Sequence, residues 1–190
     1  MSVNKLAIST IKQMPVLLGE VDIIKSLLFL PGVTNAGEGQ SGFNVRGGGA
    51  DQNLILLDEA TIYNSSHLFG FFSVFNPDAL SGVDFYKGNI PANFGGRVSS
   101  VIDISLKEGN FEKVRGEGGI GTISSRLSID GPFLSDKSSF VISGRRTYAD
   151  MFLRLSSDPS INSNNLYFYD LNSKFSFILG ERDKLSVSSY

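Results

Sequence analysis

The chain has no cysteine, no tryptophan and one histidine among its 190 residues. Without cysteine there are no disulfides or thiolate metal sites, and the redox compartment leaves no mark. A zinc site needs three or four suitable ligands, which His67 alone does not supply, so no metal or other cofactor is expected. A Ser-His-Asp triad would have to use His67, and nothing beside it resembles a nucleophile elbow. No catalytic residue is assigned. No window nears the roughly 20 apolar residues of a transmembrane helix. The opening MSVNKLAIST lacks the basic start and apolar run of a signal peptide. A net charge of −2 leaves no basic footprint for nucleic acid.

What the chain does have is 21 Gly, 15 Phe and 6 Tyr, with 41% apolar residues, enough for a core. That mix suits strands, turns and aromatic surfaces better than helix bundles. The length admits one large domain, or one domain and part of another.

Up to about residue 109, helical and strand patterns interleave. A short strand is expected near Leu6–Ile8. A helical period runs from Glu20 to Leu30 and stops at Pro31-Gly32. Strands are expected at Phe43–Arg46 and Asn53–Leu57, joined by a Gly47–Gln52 turn, with a short one at Thr61–Tyr63. Asn76-Pro77 reads as the cap and first position of a short helix. Val83–Tyr86 and Val98–Leu106 read as strands. The pattern is that of a small α+β domain.

From Gly119 the period changes to two. Ile123, Leu127 and Ile129 share one face, and Thr122, Arg126 and Asp130 the other. Gly131-Pro132 is expected to turn the chain, and Ser138–Tyr148 alternates again. Tyr167–Leu179 alternates most cleanly, with Tyr169, Leu171, Phe175 and Phe177 opposite Asp170, Asn172, Lys174 and Ser176. Lys184–Tyr190 begins a further strand. Such strands fit an antiparallel sheet in a soluble sandwich, or membrane β-barrel strands with apolar side chains towards lipid. Four strands do not close a barrel, and lipid does not tolerate open strand edges. A membrane reading therefore makes the chain a fragment.

Several motifs have plain structural readings. Gly116–Gly121 fits G-x-G-x-x-G, but a dinucleotide site needs a helix to follow, and a strand pattern follows here. The acidic pairs Asp58-Glu59 and Glu108/Glu112 read as turn and linker residues. The loop Ser65–Phe75 holds His67, Phe69, Phe71 and Phe72. Its rings are costly to leave in water, so it either completes the core or forms an aromatic surface for a ligand or a covering wall. Arg46 and Arg97 border the glycine clusters. They read as surface charges, or as bidentate partners for carboxylates of a surrounding wall.

Residues 20–107 closely resemble the plug domain of TonB-dependent outer-membrane transporters. The resemblance rests on Leu30-Pro31-Gly32-Val33, Asn44-Val45-Arg46-Gly47-Gly48 and Gln52–Asp58. It continues in Tyr86-Lys87-Gly88, Pro91–Arg97 and Val101–Ile104, in the right order and spacing. The segment C-terminal to these residues is similar to the first strands of that family's barrel of about 22 strands. The resemblance implies an α+β plug at 1–109 (a small mixed sheet with short helices), then antiparallel strands of an incomplete transmembrane β-barrel at 110–190. It implies import of a scarce nutrient of siderophore, vitamin or glycan class, and no enzyme activity. The implied location is the bacterial cell outer membrane, with the signal peptide missing from this chain. Implied partners are the TonB energy-transducing complex (its contact region absent here), the remainder of the barrel, the cargo and outer-membrane lipid. Ser65–Phe75 becomes the candidate ligand-facing loop, with Thr34–Ser41 a second. Arg46 matches the plug arginine that pairs with barrel acids. Asn93 stands where the family often has a second basic residue, and Arg97 is the candidate substitute. The alternative is a soluble β-rich ligand-binding or adhesion module.

Overall fold

The computed structural model describes residues 3–14, 20–37, 42–67, 70, 72–148, 150–154, 158, 160 and 166–190. The chain divides into two compact units, Met1–Leu17 with Val21–Lys107, and Leu18–Glu20 with Glu108–Tyr190.

The strands of the first unit are β1 (Val3–Ala7), β2 (Val33–Asn35), β3 (Phe43–Val45), β4 (Asn53–Leu57), β5 (Ala60–Thr61), β6 (Ser66–His67), β7 (Phe72–Ser73), β8 (Leu80–Tyr86) and β9 (Ser100–Leu106). Five form one mixed sheet in the order β1-β8-β9-β4-β5. The central pair, β4 and β9, is parallel, from Asn53↔Ser100 to Leu57↔Ile104. The near-continuous apolar runs of these strands suit a pair buried on both faces. Phe43 and Phe85 meet edge to face at 6.3 Å, and Ile23, Leu27, Phe75 and Ile104 belong to the same core. Asp58 and Glu59, with φ of 46° and 70°, turn β4 into β5. Left-handed residues at both central positions give that two-residue hairpin the twist its strands need.

Helices are few and short: α1 (Ile8–Ile11) and α2 (Ile23–Leu27). α2 is shorter than the Glu20–Leu30 period suggests. The Asp22 side chain caps it by accepting the Lys25 amide at 3.0 Å, and beyond Leu28 the backbone turns. Val21 is buried and Leu28 packs on the core, both outside the helix, so apolar spacing overstated its length. The helix expected at Asn76-Pro77 is a single turn. Asn76 Oδ1 accepts the Asp78 amide at 3.1 Å, Ala79 closes on the Asn76 carbonyl, and β8 begins at once. The strand expected at Leu6–Ile8 lies at Val3–Ala7.

The second unit is one antiparallel sheet of five strands in sequence order: β10 (Arg115–Ile120), β11 (Ser124–Phe133), β12 (Ser135–Thr147), β13 (Tyr169–Ile178) and β14 (Lys184–Ser189). A one-turn helix, α3 (Asp150–Leu153), lies between β12 and β13. The sheet does not close, as expected of an incomplete barrel. Gly131-Pro132 does not turn the chain. β11 runs through both residues, and the turn comes at Leu134, whose φ is 59°. Proline is tolerated there because β10 pairs with β11 only as far as Asp130, so no neighbour on that side needs its missing N–H.

Candidate functional site

Three motifs far apart in sequence meet around Arg46. The Arg46 amide donates to the Gly32 carbonyl at 2.9 Å, and β2 pairs with β3 through Val33↔Val45. A side-chain carbon at Gly32 would lie 3.5 Å from Arg46 Cγ, and one at Gly88 would lie 2.9 Å from Arg46 Nη1. The two glycines thus leave the channel that the arginine side chain occupies. Arg46 itself has φ 50°, an uncommon conformation for a residue with a side chain. Its guanidinium is exposed, and among the described residues no carboxylate meets it. Such strain, held by its surroundings, is what binding positions tend to carry.

A cleft of about 100 Å³ opens in the same unit, lined by Gly42, Ala50, Asp51, Tyr63, Ser65 and Arg97, among others. Its floor is fixed by Asn53, whose Nδ2 donates to the Phe43 carbonyl at 2.7 Å while its Oδ1 accepts from Ser100 Oγ at 2.7 Å. Tyr63 is 88% exposed at the rim, and Arg97 is exposed, donating to the Gly96 carbonyl at 3.1 Å. The rim therefore offers a cation, a carboxylate and an exposed aromatic ring over an apolar floor. Of these, sequence reading singled out only Arg97. Tyr63 and Asp51 lack any local pattern that marks them.

His67 is half-buried and pairs across β6–β7 with Phe72, which is buried at 6% exposure. The next residue, Ser73, donates its amide to Asp22 Oδ2 at 2.9 Å, so this end of the loop is tied to the α2 cap. Phe69 and Phe71 lie outside the described residues, as does the second half, residues 38–41, of the Thr34–Ser41 loop.

The acidic pairs hold structure. Asp58 Oδ1 accepts the Leu106 amide at 2.9 Å, closing the end of β9, and Glu108 pairs with Lys184. Asp103 sits opposite Asp84 on β8. Partial burial raises its carboxyl above the usual carboxylate range, and the charges of Asp84, Glu59 and Asp58 push the same way. Gly116–Gly119 belong to β10, with a turn and a strand after them, so the G-x-G-x-x-G match makes no phosphate loop. Among the described residues no group of three or more His, Asp or Glu is placed to hold a metal ion, and no helix is long and apolar enough to cross a membrane.

In the second unit the usual order of burial is reversed. Ser139, Ser143 and Ser176 are buried, as are Arg145 and Asn172, while Leu127, Ile142 and Leu171 on the opposite face are exposed. Arg145 donates from Nε and Nη2 to Asp170 Oδ2, at 2.9 and 2.6 Å, and its Nη1 lies 3.9 Å from Glu20. Burying charge requires this kind of pairing. An apolar exposed face opposite a polar one suits a wall in lipid rather than a sandwich in water. Aromatic rings mark both ends of the apolar face. Phe133 stacks edge-on with Phe175 at 5.1 Å, and Tyr167 and Tyr169 stand exposed at the far end. Tyr169 and Phe177 span β13. At about 3.3 Å per residue they lie about 26 Å apart along the strand. With a tilt near 40° that is about 20 Å across, close to the apolar band of such barrels.

A mixed-sheet domain with glycine-framed loops, followed by strands whose exposed face is apolar, defines a plug joined to the first part of a membrane barrel. The family model described as TonB-dependent Receptor Plug Domain matches residues 6–101, and the chain belongs to that family. Among solved structures it is similar to the siderophore receptor PirA from Acinetobacter baumannii, with a TM-score of 0.68, 20% identity, and coverage of 99% of this chain and 31% of that one. The ferric enterobactin receptor PfeA from Pseudomonas aeruginosa gives a TM-score of 0.64 at 19% identity, covering 97% of this chain and 32% of that one. The outer membrane transporter YddB from Escherichia coli gives 0.62 at 16% identity, with coverage of 98% and 32%. The chain spans about a third of the length of these relatives. No curated protein matches the sequence.

Proposed function

We propose that this chain is the gate portion of a transporter that binds a scarce nutrient, of siderophore, vitamin or glycan class, and admits it across the outer membrane. The observation that carries this reading is a plug-family domain continuous, in one chain, with a sheet exposing its apolar face. Its work is binding and gating, without covalent catalysis, and it draws on the TonB complex for energy. The domain boundary falls near residue 109, with plug before it and barrel strands after it. The cleft rim of Tyr63, Asp51 and Arg97 is the first cargo-contact candidate. The loop carrying His67, Phe69, Phe71 and Phe72 is the second. Arg46 and Arg97 are the cations that meet carboxylates contributed by the rest of the receptor.

The test is uptake and binding by the complete receptor against a panel of ferric siderophores, cobalamin and oligosaccharides. One member should bind, and Tyr63→Ala with Arg97→Ala should weaken it at least tenfold, the scale of a lost charge-assisted contact. Replacing Phe69 and Phe71 by Ala tests the second loop in the same assay. A receptor that binds none of the panel overturns the transport reading. Unchanged affinity in the Tyr63 and Arg97 variants removes the cleft from the site.

A further inference from the structure

Arg146 is the exception on the exposed face of the second unit. Strand alternation puts Ser125, Leu127 and Ile129 of β11 on that face with Ile142, Gly144 and Arg146 of β12. Tyr169 and Leu171 of β13 lie on it too. Arg146 sits directly between Ser125 and Tyr169 in the ladder, and its guanidinium lies 5.7 Å from the Tyr167 ring centre. Among the described residues no carboxylate pairs with it. Its inward neighbour Arg145 has Asp170 and Glu20 instead. Charges at the other end of the sheet are mixed in sign: Asp136 and Lys137 at the start of β12, Glu181, Arg182 and Asp183 between β13 and β14, and Lys184 at the start of β14.

We propose that Arg146, with the Tyr167 ring and the Tyr169 hydroxyl, is a binding site for the phosphate of a membrane lipid. The proposal rests on the barrel reading above. An arginine on a lipid-facing surface keeps its charged end at the headgroup level, and tyrosines favour the same depth. Its planar fork matches phosphate oxygens bidentately, and the stacked ring holds the fork flat without supplying a countercharge. The occupant is thus an anionic headgroup, since a zwitterionic one brings its own cation. The site also has a side. The far end carries only short connections, one residue between β11 and β12 and five between β13 and β14, while the Arg146 end carries the three-residue β10–β11 connection and the one long segment, residues 148–168, between β12 and β13. Short turns face the periplasm and long loops the exterior, so the lipid belongs to the outer leaflet.

The complete receptor is reconstituted into phosphatidylcholine nanodiscs doped with either phosphatidic acid or diacylglycerol, which differ in the phosphate. Lipid retained on the purified protein is counted by native mass spectrometry. Wild type is expected to retain phosphatidic acid at least tenfold over diacylglycerol. Arg146→Gln should remove most of that preference, and Arg146→Lys should keep part of it. Equal retention by wild type and Arg146→Gln overturns the site, as does a wild type that does not distinguish the two lipids. Displacement of the lipid by millimolar inorganic phosphate overturns the assignment to lipid. A receptor that does not enter plain phosphatidylcholine discs overturns the barrel reading, and this proposal with it. Entry with no phosphate preference overturns this proposal alone.

Discussion

Lys87 Nζ donates to the Pro31 carbonyl across 3.0 Å, joining residues 56 positions apart in the chain. Lys87 is buried at 8% exposure, and its ammonium also stands 6.0 Å from the Phe85 ring centre. The bond ties the Pro31-Gly32 turn to the end of β8. A hydrogen bond from a charged donor contributes about 1.5–3 kcal/mol, part of it offset by the cost of burying the charge. Lys87→Met, close in volume, is expected to lower plug stability by about 1 kcal/mol. Amide exchange at Val33 and Arg46 should speed up, with β9 unaffected. Hydrogen exchange read by mass spectrometry on the receptor checks this, and unchanged rates at Val33 would sink it.

Gly88 and Arg46 make a paired prediction. A methyl at Gly88 would lie 2.9 Å from Arg46 Nη1, so Gly88→Ala should displace the guanidinium while costing little backbone energy, since no left-handed φ is required there. Arg46→Gly should act the other way. It relieves a φ of 50°, a conformation costing a residue with a side chain about 1 kcal/mol. Stability is expected to hold or rise by up to about 1 kcal/mol, offset in part by glycine's unfolded-state freedom. Uptake by the receptor should fall in both variants. A marked loss of stability in Arg46→Gly, read from the urea midpoint, would show that the arginine is a structural brace.

How far the sequence discloses all this depends on the range of the interactions. The faces of β13 were legible residue by residue, because alternation is local and neither lipid nor lumen tolerates the other's side chains. The α+β character of the first unit was legible for the same reason. α2 was overdrawn because Val21 and Leu28 reach the core without helical backbone, which apolar spacing alone does not distinguish. Pro132 was misread because its tolerance depends on where β10 stops, which is a neighbouring strand's property. The cleft was not legible at all. It joins Gly42, Asp51, Tyr63 and Arg97 from separate segments, and apart from Arg97, marked by its glycine cluster, none carries a pattern until the sheet brings them together.

Asp103 gives the plug a pH dependence with a defined sign. Burial and neighbouring carboxylates raise its folded-state pKa above the ordinary 3.8. Its folded form is therefore favoured when protonated. That contribution is fully present below the unfolded pKa of 3.8 and is lost as pH rises through the raised value. Lys5, 3.2 Å from Asp84 but largely exposed, only partly offsets the repulsion. Asp103→Asn should raise plug stability at pH 7 by about 0.5 kcal/mol, the scale of a like-charge cross-strand pair. The gain should vanish near pH 3. Urea midpoints at the two pH values decide it, and an equal gain at both would mean that charge is not the cause.

Ile142 and Ile120 separate a wall in lipid from a sheet in water. Ile142 lies mid-strand between Ile129 and Ser173, while Ile120 lies opposite Ser125, level with Arg146. Both are exposed, Ile120 the more so at 91% against 43%. In water, a lysine at either exposed position would be nearly neutral. In a bilayer the cost follows depth, about 2–4 kcal/mol at the midplane and about 0–1 near the interface. Ile142→Lys should therefore destabilise the complete receptor in phospholipid vesicles by about 2–4 kcal/mol, and Ile120→Lys by less than about 1. Reversible urea unfolding from vesicles measures both. Equal costs would remove the membrane boundary inferred from Tyr169 and Phe177, because the ordering depends on depth and not on how exposed each isoleucine is within the sheet.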